Sequence, residues 1–210
     1  ETFEEAVAAM PDGCCVGLDL NYRATLWSAE QCRAVLTPLI KEHVSIVVTT
    51  IEDMAVLYGL GCGPYSAEEI DKGDLGPVSD ADLQDFAEQV RDLFAAEIVA
   101  LTLRYPDSFE VNRWESAALD AAGHFVRSAA VRDIVLLDRL GGGDTWNGGF
   151  YYGLLTAGFG AKGLEKGVLV GDAATRLKQT LMFDLPVVTK AEVQDLLRAD
   201  VAGGGKRVAR

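Results

Sequence analysis

The chain has 210 residues, of which 49% are hydrophobic and 24% charged, a composition typical of a globular protein rather than a disordered one. A chain of this length buries about 70% of the surface that its unfolded form exposes, so its core needs no metal or disulfide. The net charge of −13 argues against non-specific binding to nucleic acid. It does not exclude a small phosphorylated ligand, which needs only a local positive potential.

The apolar runs are too short to predict a membrane span, and the first ten residues lack the basic start and apolar stretch of a secretory signal. The four cysteines, Cys14, Cys15, Cys32 and Cys62, show no zinc-like spacing with one another or with the two histidines. We therefore expect reduced thiols in the core of a cytoplasmic protein that binds neither membrane nor nucleic acid.

Helical and extended segments alternate in the first half of the chain. Ser28 and Gln31 form a capping box, which opens a helix, and the β-branched run VSIVVTT predicts a buried strand. Residues 59–77 are rich in Gly, Pro and charge and predict a loop with one helical turn. The predicted elements are helices over 2–10, 28–42, 52–58 and 79–94 and strands over 14–20, 44–50 and 97–103.

The second half continues the alternation. Short extended segments around turns are predicted over 111–128, a strand over 133–138, helices over 144–156 and 161–180, and a final helix to 199 that the capping box of Thr189 and Glu192 opens. The tail over 201–210 is expected to fray. The pattern predicts one α/β domain over 1–200 with a mainly parallel sheet, whose ligands bind at the carboxyl ends of the strands.

The segment LLDRLGGGDTW is the most informative one. A strand is predicted to end at Asp138, and Gly141, Gly142 and Gly143 then lead into Asp144 and a helix. Glycines let a ligand approach the backbone closely, and the first amides of a helix lack internal acceptors. The loop therefore suits a transferring phosphate, with Asp144 as proton acceptor for a hydroxyl. The residues alone equally allow a flexible turn in which Asp144 is only an N-cap.

Several stretches resemble one known family. DRLGGGD is similar to the D-[TR]-x-G-[AG]-G-D signature of the ribokinase-like (PfkB) carbohydrate kinases, and GLDLNYRATLWS resembles the DxNYRxxLWS stretch of 2-keto-3-deoxygluconate kinases. LTLRYPDSFEVNRWESAAL resembles a segment of those kinases that carries TLR, N and W. GDAATRLKQT looks like their late helix beside the nucleotide. The similar stretches follow in order from about residue 12 to residue 197.

This resemblance implies a ribokinase-like three-layer α/β/α sandwich with a Rossmann-like sheet. It also implies transfer of the γ-phosphate of ATP, with Mg²⁺, to a hydroxyl of 2-dehydro-3-deoxy-D-gluconate. Asp144 would be the general base, and the amides of Gly141, Gly142 and Gly143 would form the anion hole. Two alternatives stay open: a kinase of this fold for fructose, ribose or a nucleoside, and an inactive nucleotide-binding homologue.

The resemblance places further binding residues outside the glycine loop. Arg23 would meet the sugar acid or the phosphates, which suits a guanidinium. The family's N-x-x-E motif for magnesium has no clean match in TTIEDMAVLYG, so either Glu52 or Asp53 would serve Mg²⁺. The other implied residues are Asn21 and Asp184 on the substrate side and Thr50, Leu103 and Arg104 on the nucleotide side.

Members of that family are longer, and the stretch that finds no match here is their N-terminal part. That part supplies the first strands, much of the sugar pocket and a lid that also dimerises. We expect the full-length protein to be a homo-oligomer, and the expected kinase activity applies to that protein.

Other conspicuous residues are expected to serve packing or the surface. Trp27, Trp114 and Trp146 are predicted to pack rather than to form a stacking platform. Asp138 is predicted to shape the glycine loop. For Lys178 and Gln179, an approach to the nucleotide and a plain surface position are equally open.

Overall fold

A computed structural model describes residues 2–11, 13–106, 111–128 and 131–201. The chain forms two compact units, one of residues 1–102 and 118–125 and the other of residues 103–117 and 126–210. The single domain expected over 1–200 stays a prediction, and most of the tail expected to fray lies outside the described residues. Within the described ranges, no helix is both long and apolar enough to cross a membrane.

The first unit follows the predicted order of elements. The Ser28 Oγ accepts from the Gln31 N–H at 3.2 Å, which confirms the capping box, and Gly59 ends a helix in the left-handed conformation, with a φ of 67°. Its elements are α1 (Thr2–Ala8), β1 (Gly17–Asp19), α2 (Ala29–His43), β2 (Ile46–Thr49), α3 (Ile51–Tyr58), α4 (Ala67–Asp71) and α5 (Asp80–Phe94), followed by the start of β3 (Ile98–Pro106).

Strands β1, β2 and β3 are parallel. Gly17 pairs with Ile46, and Ile46 pairs in turn with Ile98. All four residues of β2 are buried, as expected for a central strand of a parallel sheet, which helices cover on both faces. β1 is shorter than the predicted strand over 14–20. Cys14 and Cys15 precede it and are exposed, so the expectation of core thiols is right only for the buried Cys32 and Cys62.

The sheet also has an antiparallel part. The strands pair in the order β1-β2-β3-β4-β5, and β6 pairs with β4 in the antiparallel sense. This mixed sheet retains the parallel part that the sequence predicts. The remaining elements are β4 (Val111–Asp120), β5 (Phe125–Arg127), β6 (Val131–Val135), α6 (Gly142–Ala157), α7 (Ala161–Lys178) and α8 (Lys190–Val201).

Two strand predictions in this part of the chain are wrong. The short segments expected over 111–128 include one ten-residue strand, β4, because buried pairing overrides the weak strand propensity of Glu115, Ser116 and Ala117. The strand expected over 133–138 is shifted towards the N-terminus, to β6. As a result Asp138 lies in the loop before α6 rather than at a strand end.

Glycines let α6 and α7 approach closely. A Cβ built on Gly149 would lie 2.7 Å from the Gly171 Cα, and one on Gly153 would meet the backbone of Gly167. Trp146 and Phe150 stack beside this contact, with ring centroids 4.9 Å apart, and are fully buried. Backbone contact of this kind leaves no room for a side chain.

We predict opposite effects for two adjacent glycines of α6. Gly149→Ala should lower the free energy of unfolding by about 1–3 kcal/mol, because the added methyl overpacks the contact with α7. In Gly148→Ala, the matched control, the methyl group meets no atom within 4 Å, so the gain in helix propensity should raise stability by about 0.5–1 kcal/mol. Urea unfolding of both variants measures the difference. Equal effects would contradict the close helix contact.

Candidate functional site

The glycine loop forms the start of α6. Gly141 is the N-cap residue, with a φ of 71°, and its carbonyl accepts from the Thr145 N–H at 3.0 Å and from the Thr145 Oγ1 at 2.7 Å. A Cβ at position 141 would collide with the backbone carbonyl of Asp184. Both the positive φ and this contact require glycine. Since Gly141 caps the helix, Asp144 is not the N-cap residue.

The amides after the cap face open space. Among the described residues, the N–H groups of Gly143 and Asp144 have no hydrogen-bond acceptor, and a Cβ on Gly143 would meet no atom within 4 Å. Gly142 differs, because it is buried and its N–H donates to the Arg139 carbonyl at 3.2 Å. Gly143 and Asp144 therefore offer the free donors for an anionic oxygen at this helix N-terminus.

Asp144 lies in the first turn of α6, and its side chain is exposed to solvent. An exposed carboxylate beside two free amides can accept a proton from a hydroxyl group while the amides stabilise negative charge nearby. The sequence predicts a phosphate site on the amides of Gly141, Gly142 and Gly143, and of these the N–H of Gly142 is already taken.

The loop before α6 is held by Asp138. Its carboxylate accepts from the N–H of Leu140 at 2.9 Å and from the N–H of Phe183 at 2.8 Å, and these hydrogen bonds hold the pKa of Asp138 below its usual range. The bond to Phe183 ties the segment after α7 to the glycine loop, next to Asp184, whose side chain is exposed. The predicted loop-shaping role of Asp138 agrees with this geometry.

Lys178 and Gln179 are both buried, so the surface position left open for them is wrong. The Lys178 ammonium donates to the carbonyls of Asp138 and Leu181, at 3.3 and 3.5 Å, and these acceptors allow a cation to be buried at the end of α7. The Gln179 carbonyl accepts from the Leu137 N–H at 2.8 Å. Both residues support the loop.

Asp172 is the main supporting residue that the sequence analysis missed. Its Oδ1 accepts from the indole N–H groups of Trp146 and Trp114, at 2.8 and 3.1 Å, and from the Ser116 hydroxyl at 2.6 Å. Burial raises the pKa of Asp172. Trp114 and Trp146 are packing residues, as predicted. The signal in the sequence was a charged residue among the small residues of GDAAT, in the middle of a helix.

The first unit brings another group of predicted residues together. Asn21 has a φ of 38°, and the loop after β1 then lets the N–H of Tyr22 donate to the Asp53 Oδ2 at 3.3 Å. Thr50 is the N-cap of α3, and its hydroxyl accepts from the Asp53 N–H at 3.0 Å. Arg23 is exposed at this place and donates to the Tyr22 carbonyl at 2.9 Å.

The electrostatics of this group favour a cation. Burial, together with the neighbouring charges of Asp19 and Glu52, raises the pKa of Asp53 to about 6, and Arg23 opposes the rise. A half-buried carboxyl group beside two more acids suits the hard oxygen preference of Mg²⁺, which takes one or two carboxylates and completes its shell with phosphate and water. No group of three metal-binding side chains occurs among the residues that the structure describes.

Leu103 and Arg104, the predicted nucleotide-side residues, belong to the second unit, near the end of β3. Leu103 is buried and Arg104 is exposed. Of the two, the Arg104 side chain is therefore the one that a nucleotide could reach.

Comparisons with known proteins bear on the fold and on the family that the chain resembles. No protein-family model matches the chain. A 2-dehydro-3-deoxygalactonokinase of Haloferax volcanii is 29% identical over 202 residues, which are 96% of this chain and 53% of the relative. The crystal structure of a 2-dehydro-3-deoxygluconokinase from Thermotoga maritima superposes with a TM-score of 0.78 and 27% identity, over 93% of this chain and 55% of that one.

A more distant structure, a ribokinase II candidate from E. coli in complex with ATP and Mg²⁺, superposes with a TM-score of 0.59 at 15% identity, over 94% of this chain and 53% of that one. At that identity the likeness concerns the fold alone. The chain spans about half the length of each of these three proteins. The chain thus has the ribokinase-like α/β fold, and the resemblance to the 2-keto-3-deoxy sugar acid kinases is confirmed.

Proposed function

We propose that the whole protein is an ATP-dependent kinase for a 2-keto-3-deoxy sugar acid. The observation that carries the proposal is the exposed Asp144 in the first turn of α6, beside the free N–H groups of Gly143 and Asp144. The names of two relatives that share more than a quarter of their aligned residues with this chain point to the same class of acceptor.

In this proposal, Asp144 accepts the proton of the acceptor hydroxyl as its oxygen attacks the γ-phosphorus of ATP. The bond from that phosphorus to the bridging oxygen breaks, and ADP leaves. The amides at the start of α6 stabilise the negative charge on the transferring group. Of the three predicted members of the anion hole, Gly142 shapes this turn, since its N–H already donates to the Arg139 carbonyl, and the amides of Gly141 and Gly143 stay proposed donors.

Asp53 is the residue that we propose for magnesium, with Glu52 as the alternative. The raised pKa of Asp53 supports this choice, because a divalent cation would offset the cost of ionising a half-buried acid beside other acids. When bound, Mg²⁺ would neutralise charge on the phosphates. Thr50 holds the backbone of Asp53 at the start of α3, because its hydroxyl accepts from the Asp53 N–H.

We propose 2-dehydro-3-deoxy-D-gluconate as the acceptor, with Arg23 as the partner of its carboxylate and Asn21 and Asp184 as further substrate residues. The galactonate isomer is a second acceptor, because the Haloferax volcanii relative bears its name. Thr50, Leu103 and Arg104 stay predictions for the nucleotide side. Homo-oligomerisation and a cytoplasmic location also stay predictions.

Replacing the proposed base tests the mechanism. We expect Asp144→Asn to lower kcat by about 10²- to 10⁴-fold with KM little changed, because an amide cannot accept the proton. The measurement is ADP release by the full-length protein with Mg·ATP and a panel of both sugar acids, fructose, ribose and a nucleoside. Asp195→Asn, which removes an exposed acid on α8 that pairs with Arg198, is the matched control.

The outcomes of this assay separate the alternatives. Asp144→Asn with near wild-type turnover and intact binding would rule out Asp144 as the base. Turnover confined to fructose, ribose or a nucleoside would replace the sugar acid by that acceptor. ATP binding without turnover of any acceptor would favour the inactive nucleotide-binding homologue.

The pH dependence of the free energy of unfolding tests the raised pKa of Asp53. Its pKa is about 6 in the folded state against an ordinary 3.8, so the folded state binds the proton more tightly. Ionising this group therefore lowers the free energy of unfolding as pH rises from about 4 to about 6. Asp53→Asn stays neutral, and at pH 7 without Mg²⁺ it should be more stable than wild type by on the order of 2–3 kcal/mol.

Urea unfolding between pH 4 and pH 8 measures this difference, and Asp74→Asn, at an exposed loop position, is the control. The stability gain of Asp53→Asn should vanish near pH 4, where wild-type Asp53 is protonated. A gain of equal size at every pH would show that the pKa of Asp53 is not raised. The proposed magnesium role further predicts that Asp53→Asn needs a higher Mg²⁺ concentration for ADP formation.

A further inference from the structure

The second unit contains a cavity of about 540 Å³ between α6, α7 and α8. Natural small-molecule sites have volumes of roughly 300–1,000 Å³, so this cavity is large enough for an organic ligand. Gly149 and Tyr152 line it from α6, Leu169 from α7 and Val193 from α8. No residue of the glycine loop lines it, and the proposed kinase chemistry does not use it.

The walls of the cavity are mainly apolar and partly open to water. Leu169 is 41% exposed and Tyr152 is 40% exposed, whereas Val193 is buried at the base of α8 and belongs to the cluster that joins α7 to α8. Covering the exposed parts of large apolar side chains in a concavity with a ligand is favourable, because it removes apolar surface from water. The walls therefore favour an apolar ligand body.

Three lysines surround these walls: Lys162, Lys166 and Lys190. They are three of only seven lysines in a chain whose net charge is −13. Within the described part of the chain, none of the three has a carboxylate within 4.0 Å, and the Lys166 ammonium lies 5.5 Å from the centroid of the Tyr152 ring. Glu165 is the one described acidic residue in the lining, so the charged lining residues sum to +2.

The start of α8 adds to this positive potential. Lys190 is the first residue of the helix, where the helix dipole is also positive. The nearby Glu192 carboxylate accepts from the N–H and the hydroxyl of Thr189, at 2.8 and 2.9 Å, and so caps the helix. Because Glu192 takes up the capping position, an anionic group at this end of the cavity would meet the lysines.

We propose that this cavity binds a small amphipathic anion, with a flat or short-chain apolar body and a single carboxylate, sulfonate or phosphate group. The apolar walls hold the body against Tyr152, Leu169 and Val193, and the anionic group lies between Lys166 and Lys190. A net lining charge of +2 and mainly apolar walls favour a ligand with one anionic group over a triphosphate.

Binding of 8-anilinonaphthalene-1-sulfonate to the folded protein, followed by fluorescence, tests the proposal. Lys166→Gln/Lys190→Gln should weaken this probe at least tenfold and reduce the salt dependence of its affinity. The neutral analogue N-phenyl-1-naphthylamine should lose less than threefold. Lys41→Gln/Lys72→Gln, which removes the same charge from exposed sites of the first unit, should bind both probes like wild type. Unchanged affinity in the first variant, or an equal loss in the second, would overturn the proposal.

A second pair of variants tests the location without removing a lysine. Leu169→Glu puts an acid into the wall and should abolish binding of both probes, whereas Leu155→Glu, at a 77% exposed position of α6 outside the lining, should not. Circular dichroism verifies that all variants are folded. If the two glutamate variants bind the probes equally, the cavity is not the site. If the probes bind only after dilution has dissociated a dimer, a second copy of the chain covers the cavity in the dimer. This result would overturn the proposed small-molecule site.

Discussion

A single buried carboxylate, that of Asp172, holds the second unit together around the candidate site. It accepts hydrogen bonds from Trp146 on α6 and from Trp114 and Ser116 on β4, while itself belonging to α7. Without this acceptor, the indole N–H of Trp114 would be left unsatisfied in the core, at about 1–3 kcal/mol, and that of Trp146 would keep the Ser116 hydroxyl as its acceptor, at 3.1 Å. Trp146 follows Asp144 by only two residues, so the network that orders the core also fixes the helix turn that presents the proposed base.

The sequence predicts best where the determinants are local. The capping box at Ser28 and the left-handed stop at Gly59 both lie where their patterns place them. Prediction from the sequence fails where contacts between distant parts of the chain decide the local structure. β4 is a long strand although WESAAL has little strand propensity. Lys178 is buried although lysine favours the surface, because its ammonium donates to the carbonyl of Asp138, forty residues earlier, as well as to that of nearby Leu181.

The candidate site shows the same division. The position of Asp144 after three glycines was visible in the sequence, because helix N-termini expose their amides whatever the tertiary structure. Which amides remain free was not visible. The N–H of Gly142 is taken by the carbonyl of Arg139, and its own carbonyl accepts from Thr175 on α7 at 3.1 Å. Such contacts depend on the packing of α7, which no local pattern reports.

The acidity of the chain explains why its positive potentials are so localised. With 32 acidic and 19 basic residues, a broad basic surface is not available, so an anionic ligand must meet fixed donors at short range. At the start of α6 those donors are backbone amides, whose partial positive charges do not depend on protonation. In the cavity they are lysines that have no carboxylate partner among the residues that the structure describes. In both places a few oriented groups overcome the repulsion of the whole chain, because they act at contact distance while the surrounding charges are screened by water and salt.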